Sequence, residues 1–117
     1  MKSTDAIRRT HAYRRLMEVT LNTLPMCADP FGWHKRVPAR AVQVNHIRPM
    51  ETRPDLALVR GNLAPLCHQC HKEIGRNPNT DAMFRAVIRL ANEYGQAGLA
   101  AEYAGQMADW KGVNHVG

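Results

Sequence analysis

The stretch Asn62-Leu63-Ala64-Pro65-Leu66-Cys67-His68-Gln69-Cys70-His71 decides how this chain is read. Leu63 to Leu66 suit a short strand, and the chain then passes directly into a Cys-x-x-Cys pair followed at once by histidine. At this spacing a tight turn brings Cys67 and Cys70 to one tetrahedral ion, and a structural zinc needs four such ligands. Cys27 is the remaining cysteine. His34, at the end of Cys27-Ala28-Asp29-Pro30-Phe31-Gly32-Trp33-His34, is the favoured fourth ligand, because Pro30 and Gly32 can fold that segment back. His68 competes, but it sits awkwardly inside the knuckle. Free or buried thiols without metal are the alternative. Upstream lies Val44-Asn45-His46-Ile47, with fifteen residues between His46 and Asn62 and eight between Asn62 and His71.

With 117 residues the chain has the length of a single domain, 1–117, and only a small core. Three cysteines cannot all pair within one chain, and the N-terminal residues run into Arg8-Arg9 without an apolar stretch, so no secretory signal is expected. Nothing approaches the roughly 20 apolar residues of a membrane helix. A reducing, cytoplasmic setting without a membrane partner follows, where thiols bind metal more often than they form disulfides. The net charge of +6 is uneven: residues 1–76 hold 13 Lys and Arg against 6 Asp and Glu, whereas residues 77–117 hold 3 against 4. Arginine outnumbers lysine twelve to four, which suits bidentate contact with phosphate. A basic half that coincides with the His/Cys cluster points to nucleic acid.

Residues 4–22 read as a basic helix, capped by Ser3 or Thr4, with Asp5 at its positive end. Ile7, Leu16 and Val19, with Tyr13 and Leu24 more loosely, supply its apolar side, and Arg8, Arg9, Arg14 and Arg15 either form a solvated face or touch phosphate. Pro25, Pro30, Gly32, Pro38, Pro49, Pro54 and Gly61 rule out a long helix between 25 and 66. Short strands fit there, at Val42 to Ile47 and Leu63 to Leu66, joined by a loop from Met50 to Gly61. A short helix is expected from His71 to Gly75. Helices over 80–110 follow: one capped by Thr80 with Phe84, Val87, Ile88, Ala91 and Tyr94 at helical steps, and a weaker one from Leu99 to Trp110.

The ordered His46, Asn62 and His71 around cysteines resemble the HNH endonuclease family, over residues 24–76. The resemblance implies an α+β chain with a ββα-metal (His-Me finger) core, stapled by a structural zinc and flanked by N- and C-terminal helices. Many HNH proteins carry two Cys-x-x-Cys pairs, and here the first is rewritten as Cys-x6-His. The implied activity is hydrolysis of DNA phosphodiester bonds, by nicking or cutting duplex DNA with one divalent cation. The family's roles fall on His46 as general base, on Asn62 as the residue that orients loop and base, and on His71 as metal ligand. Asn45 occupies the second ligand position, where the family commonly has Asp or His. A neutral amide oxygen can ligate a hard cation but weakly, so Mn²⁺, Ni²⁺ or Zn²⁺ rivals Mg²⁺ here.

Arg48, two residues past His46 on the same strand face, is expected to steady the scissile phosphate. Arg40, Arg53, Arg60, Lys72 and Arg76, with Arg8 and Arg9, extend the candidate DNA footprint, each with a solvated surface charge as the alternative. Small HNH proteins often come from bacteriophage or prophage genomes, sometimes beside packaging genes, which gives phage packaging proteins as partners by analogy only. Two rivals stand beside the nuclease reading. One is a catalytically weak or inactive zinc-stabilised DNA-binding module, with Asn45 marking a decayed site. The other is an interaction protein whose basic half docks on an acidic partner. Sequence specificity and oligomeric state are not legible.

Overall fold

The computed structural model describes residues 4–115. Helix α1 (Thr4–Arg8) and helix α2 (His11–Thr23) lead into an irregular arm. Strand β1 (Gln43–His46) and strand β2 (Leu63–Leu66) then form an antiparallel pair, followed by helices α3 (His68–Arg76), α4 (Thr80–Glu93) and α5 (Ala97–His115). The mixed helix and two-strand architecture agrees with the expected ββα-metal core, with α3 following β2 directly. No described helix is long and apolar enough to cross a membrane.

Several boundaries differ from the sequence expectation, each for a local hydrogen-bonding reason. The basic helix of residues 4–22 is broken at Thr10. Its hydroxyl donates to the Ile7 carbonyl at 2.8 Å and accepts from the Tyr13 amide at 3.2 Å, so it closes α1 and caps α2. Ser3, one expected cap, lies outside the described residues. Helix α3 starts earlier than expected because the Cys67 sulfur caps it, accepting from the Cys70 amide at 3.4 Å. It runs through Gly75 and stops at Asn77, ahead of Pro78. Asn79, not Thr80, caps α4, accepting from the Ala82 amide at 3.0 Å. That helix ends at Gly95, whose φ of 69° lets the Gln96 amide reach back to the Ala91 carbonyl at 2.8 Å.

The β1–β2 register pairs Gln43 with Leu66, Val44 with Pro65, Asn45 with Ala64 and His46 with Leu63. Ile47 donates to Asn62 at 2.8 Å just beyond, which makes Val44–Pro65 and His46–Leu63 the pairs that exchange no ladder bonds. Pro65 therefore sits where no amide hydrogen is needed. The carbonyls of Leu63 and Pro65 consequently face outward, and each has a partner. Tyr103 of α5 donates its hydroxyl to Leu63 at 2.5 Å, and the Ala28 amide of the arm donates to Pro65 at 2.9 Å. The exposed edge of β2 is thus covered from both ends.

Below the sheet, Leu66, Ile74, Met83, Phe84, Val87, Leu90 and Tyr103 share one buried cluster with Leu24 and the three cysteines. Of the apolar positions expected on α4, Phe84, Val87 and Ala91 are buried, whereas Tyr94 lies past the helix end and is exposed. Helix α5 packs on α4 and on the turn at Arg60–Asn62. A methyl at Gly61 would meet the Glu102 carbonyl oxygen at 3.0 Å, so this close approach requires glycine.

Tyr103→Phe is expected to leave a buried carbonyl without its donor and to destabilise the protein by about 1–3 kcal/mol. Urea unfolding should show a lower midpoint with an unchanged slope. An unaltered midpoint would mean that α5 does not hold β2 through this bond.

Candidate metal centre and catalytic cleft

The chain brings Cys27, His34, Cys67 and Cys70 together, with all four ligand atoms within 4.8 Å of one another. His34 Nε2 lies 3.3 Å from the Cys67 sulfur and 3.6 Å from the Cys70 sulfur. With Zn–S near 2.3 Å and Zn–N near 2.0 Å, a tetrahedral angle separates sulfur from nitrogen by roughly 3.6 Å. The cluster can therefore hold a zinc ion. His68 is exposed on the first turn of α3 and takes no part.

The six-residue gap between Cys27 and His34 closes through Asp29. Its backbone adopts a φ of 55°, and its carboxylate accepts from the amides of Trp33 at 2.7 Å and His34 at 3.1 Å. Gly32, with φ 72°, completes the turn. Burial pushes up the thiol pKa of Cys27, and of Cys70 still more, with the neighbouring sulfurs adding to it. Such thiols give up their protons when a cation takes their place.

A second site lies on the other face of α3. Asn45 and His46 of β1 line one cleft of about 460 Å³ together with His71 of α3, Glu51 of the loop, and Arg8 and Tyr13 of the N-terminal helices. The Nδ1 atom of His71 is buried without a hydrogen-bond partner. An orphaned imidazole nitrogen of this kind is what a metal ligand offers, so the residues fit a cation. Asn45 adds a neutral amide oxygen. Among the described residues, the Cys/His cluster is the one group of three or more His, Cys, Asp or Glu side chains close enough to share a metal ion.

His46 is held on two sides. Its Nε2 lies 3.1 Å from the Ala57 carbonyl, which can only accept, so in the neutral ring Nε2 carries the proton and Nδ1 keeps its lone pair. Tyr13 stacks on the imidazole with ring centroids 5.9 Å apart and planes tilted by 15°. Burial lowers the His46 pKa below the ordinary histidine value, while the Ala57 carbonyl and Glu51 pull it up and Arg8 pushes it down in smaller measure. A neutral ring at physiological pH suits a proton acceptor.

Asn62 is fully buried and makes no approach to solvent. Its amide oxygen accepts from the Arg48 amide at 2.9 Å, and its amide nitrogen donates to the carbonyls of Arg48 at 3.0 Å and Leu56 at 3.5 Å. One side chain thus pins both ends of the loop whose Ala57 carbonyl orients His46.

Arg48 departs from expectation. The strand ends at His46, and the Arg48 guanidinium turns inward to Asp109 of α5 at 2.7 Å, leaving its side chain 9 % exposed. An arginine turned inward and committed to an ion pair within the chain is not offered to a phosphate. Arg53 is likewise engaged by Asp55 at 2.8 Å and Arg60 by Glu102, so both are neutralised from within the chain. Arg40, Lys72, Arg76 and Arg9 are exposed and have no ion pair among the described residues. The cation of the cleft is Arg8, 3.6 Å from Glu51. Tyr13 is read from sequence only as part of the helix's apolar side and Glu51 not at all, because a helix–loop contact over this distance leaves no local spacing to read.

No curated protein and no solved structure matches the chain. Residues 25–77 match the family model described as HNH endonuclease. That span runs from the arm through the end of α3 and contains all four Cys/His ligands, the β1–β2 pair, His46, Asn62 and His71. Over residues 25–77 the chain is therefore similar to HNH endonuclease domains.

Proposed function

We propose that the chain is a metal-dependent DNA endonuclease that hydrolyses phosphodiester bonds in the cleft between β1 and α3. The observation that carries this reading is His46, a half-buried imidazole with Nε2 fixed by Ala57 and Nδ1 left as the basic atom, in one cleft with His71 and Asn45. His46 Nδ1 takes the proton of the attacking water. Tyr13 and the Ala57 carbonyl keep the ring from rotating, and Asn62 keeps that carbonyl in place by tying the loop at Arg48 and Leu56. Arg8, in the same cleft, is positioned to meet a phosphate oxygen when it leaves Glu51. Asn45 and His71 would hold a divalent cation, which when bound neutralises charge on the phosphate and the leaving oxygen.

The Cys27, His34, Cys67 and Cys70 set would hold a structural zinc, since four protein ligands leave no open position. DNA is the substrate this reading requires. A bacteriophage or prophage setting belongs to it by analogy alone. The reading of a zinc-stabilised, non-cutting DNA module is favoured by one observation, the neutral Asn45 at a cation-holding position. An assay of activity separates the two.

Purified, reduced protein should contain about one zinc per chain and should unfold under strong chelation. His34→Ala should lose zinc affinity, and His68→Ala should not. Folded protein without zinc, or the opposite ranking of the two variants, would overturn the assignment.

Supercoiled plasmid incubated with metal-stripped, zinc-retaining protein should be nicked when Mg²⁺, Mn²⁺, Ni²⁺ or Zn²⁺ is added. His46→Ala should slow nicking on the order of 10² to 10⁴-fold with unchanged zinc content. His71→Ala should show a defect that eases as metal concentration rises. Wild-type rates in both variants would remove His46 and His71 from the chemistry.

A further inference from the structure

We propose that the arm of residues 28–40 is a second nucleic-acid contact, in which Trp33 stacks on an unpaired base while Lys35, Arg36 and Arg40 take backbone phosphates. This rests on the reading of the domain as one that handles DNA, but it concerns a surface apart from the catalytic cleft.

The arm is rigid where it matters. Its base is closed by the Met26–Arg40 bridge and by amides of Cys27 and Ala41 donating to Ala39 and Pro25, each at 2.8 Å. Its middle is anchored by His34 at the cysteine cluster, and its turn by the Asp29 carboxylate. Despite this ordering, Trp33 is left 46 % exposed, with one face on Phe31 at 4.7 Å between centroids. A single exposed apolar residue means little by itself. Here it is flanked by three exposed cations, Lys35, Arg36 and Arg40, none of which has an ion-pair partner among the described residues. Asp29, the one acid in the arm, already spends both oxygens on backbone amides. The contrast with Arg48, Arg53 and Arg60, all paired, is internal to the same domain.

An indole packed on a second ring, in a segment that also carries guanidinium and ammonium groups without ion-pair partners among the described residues, matches a nucleic-acid strand, whose bases offer π faces and whose backbone offers phosphates. Its placement agrees. Arg40 and His46 are six positions apart, so chain geometry holds the arm's base within roughly 20 Å of the cleft. A strand in the cleft can run onto the arm within about six nucleotides, at 3.4 Å of axis for each.

The test uses full-length protein carrying His46→Ala, without added divalent metal, and two probes: a twenty-nucleotide oligothymidylate and a duplex of the same length. Oligothymidylate should quench tryptophan fluorescence. Adding Trp33→Ala should weaken its binding roughly 5- to 150-fold, the loss of one stacked base, while Trp33→Phe keeps most of the affinity. Arg36→Ala and Arg40→Ala should each lower the salt dependence of binding by about one unit of slope. Zinc content and circular dichroism check that the variants are folded. Unchanged affinity for both probes in Trp33→Ala would overturn the proposal, as would a loss confined to the duplex or tighter binding of polyglutamate than of oligothymidylate. Plasmid nicking by otherwise wild-type protein is followed in parallel. Cutting without any effect of Trp33 on binding sinks this inference and leaves the nuclease reading standing. Trp33-dependent binding by a protein that cuts nothing does the reverse.

Discussion

Three sulfurs and one imidazole nitrogen meeting within 4.8 Å are the constraint on which the rest of the structure depends. Cys27 and His34 come from the arm, and Cys67 and Cys70 from the turn that starts α3. Joining them fixes the arm against β2, where the Ala28 amide covers the outward carbonyl of Pro65. It also fixes the start of α3, because the sulfur that faces the cluster is the same atom that caps the helix. His71 lies one residue past the second knuckle cysteine, so the cluster sets its position relative to β1 and His46. In a chain with a core this small, a structural zinc held there would contribute on the order of 10 kcal/mol to folding, comparable to the whole stability of a domain.

A second layer of positioning comes from outside the HNH span. The flanking helices carry Tyr13, which stacks on His46, and Arg8, which faces it across the cleft. On the opposite side, Tyr103 and Asp109 of α5 hold Leu63 and Arg48, the residues on either side of Asn62 in space. The Arg48–Asp109 pair is no guarantee of stability, since desolvating the guanidinium offsets part of its attraction to a carboxylate that stays exposed. Its effect is geometric: it ties the loop after β1 to α5. The central Asn62 then works between two anchored ends.

The parts legible in the sequence were those whose physics is local. Cys67 and Cys70 at knuckle spacing, the β2 run ending in them, and the helical periodicity of Phe84, Val87 and Ala91 all depend on residues a few positions apart. His34 was legible as a ligand because the core needed a fourth and a Pro/Gly-containing segment could turn; the residue that makes the turn, Asp29, gave no such signal. Helix boundaries shifted at Thr10, Cys67 and Asn79 because one side chain competes for a backbone amide there, which periodicity does not register. Arg48 was misplaced for a different reason. Two-residue alternation holds only while the strand continues, and β1 stops at His46. Its partner, Asp109, is sixty-one positions away.

The central proposal is that Asn45 and His71 hold a cation beside His46, and that a neutral Asn45, where the HNH family commonly has Asp or His, lowers the affinity of the site without abolishing it. The most direct measurement is a metal titration of plasmid-nicking rate for wild type and Asn45→Asp, with His46→Ala as background. One added negative charge at a ligand position should lower the Mg²⁺ concentration for half-maximal rate. An unchanged metal dependence would mean that Asn45 does not touch the ion, and wild-type protein inactive with every metal and unrescued by the carboxylate would contradict the account outright.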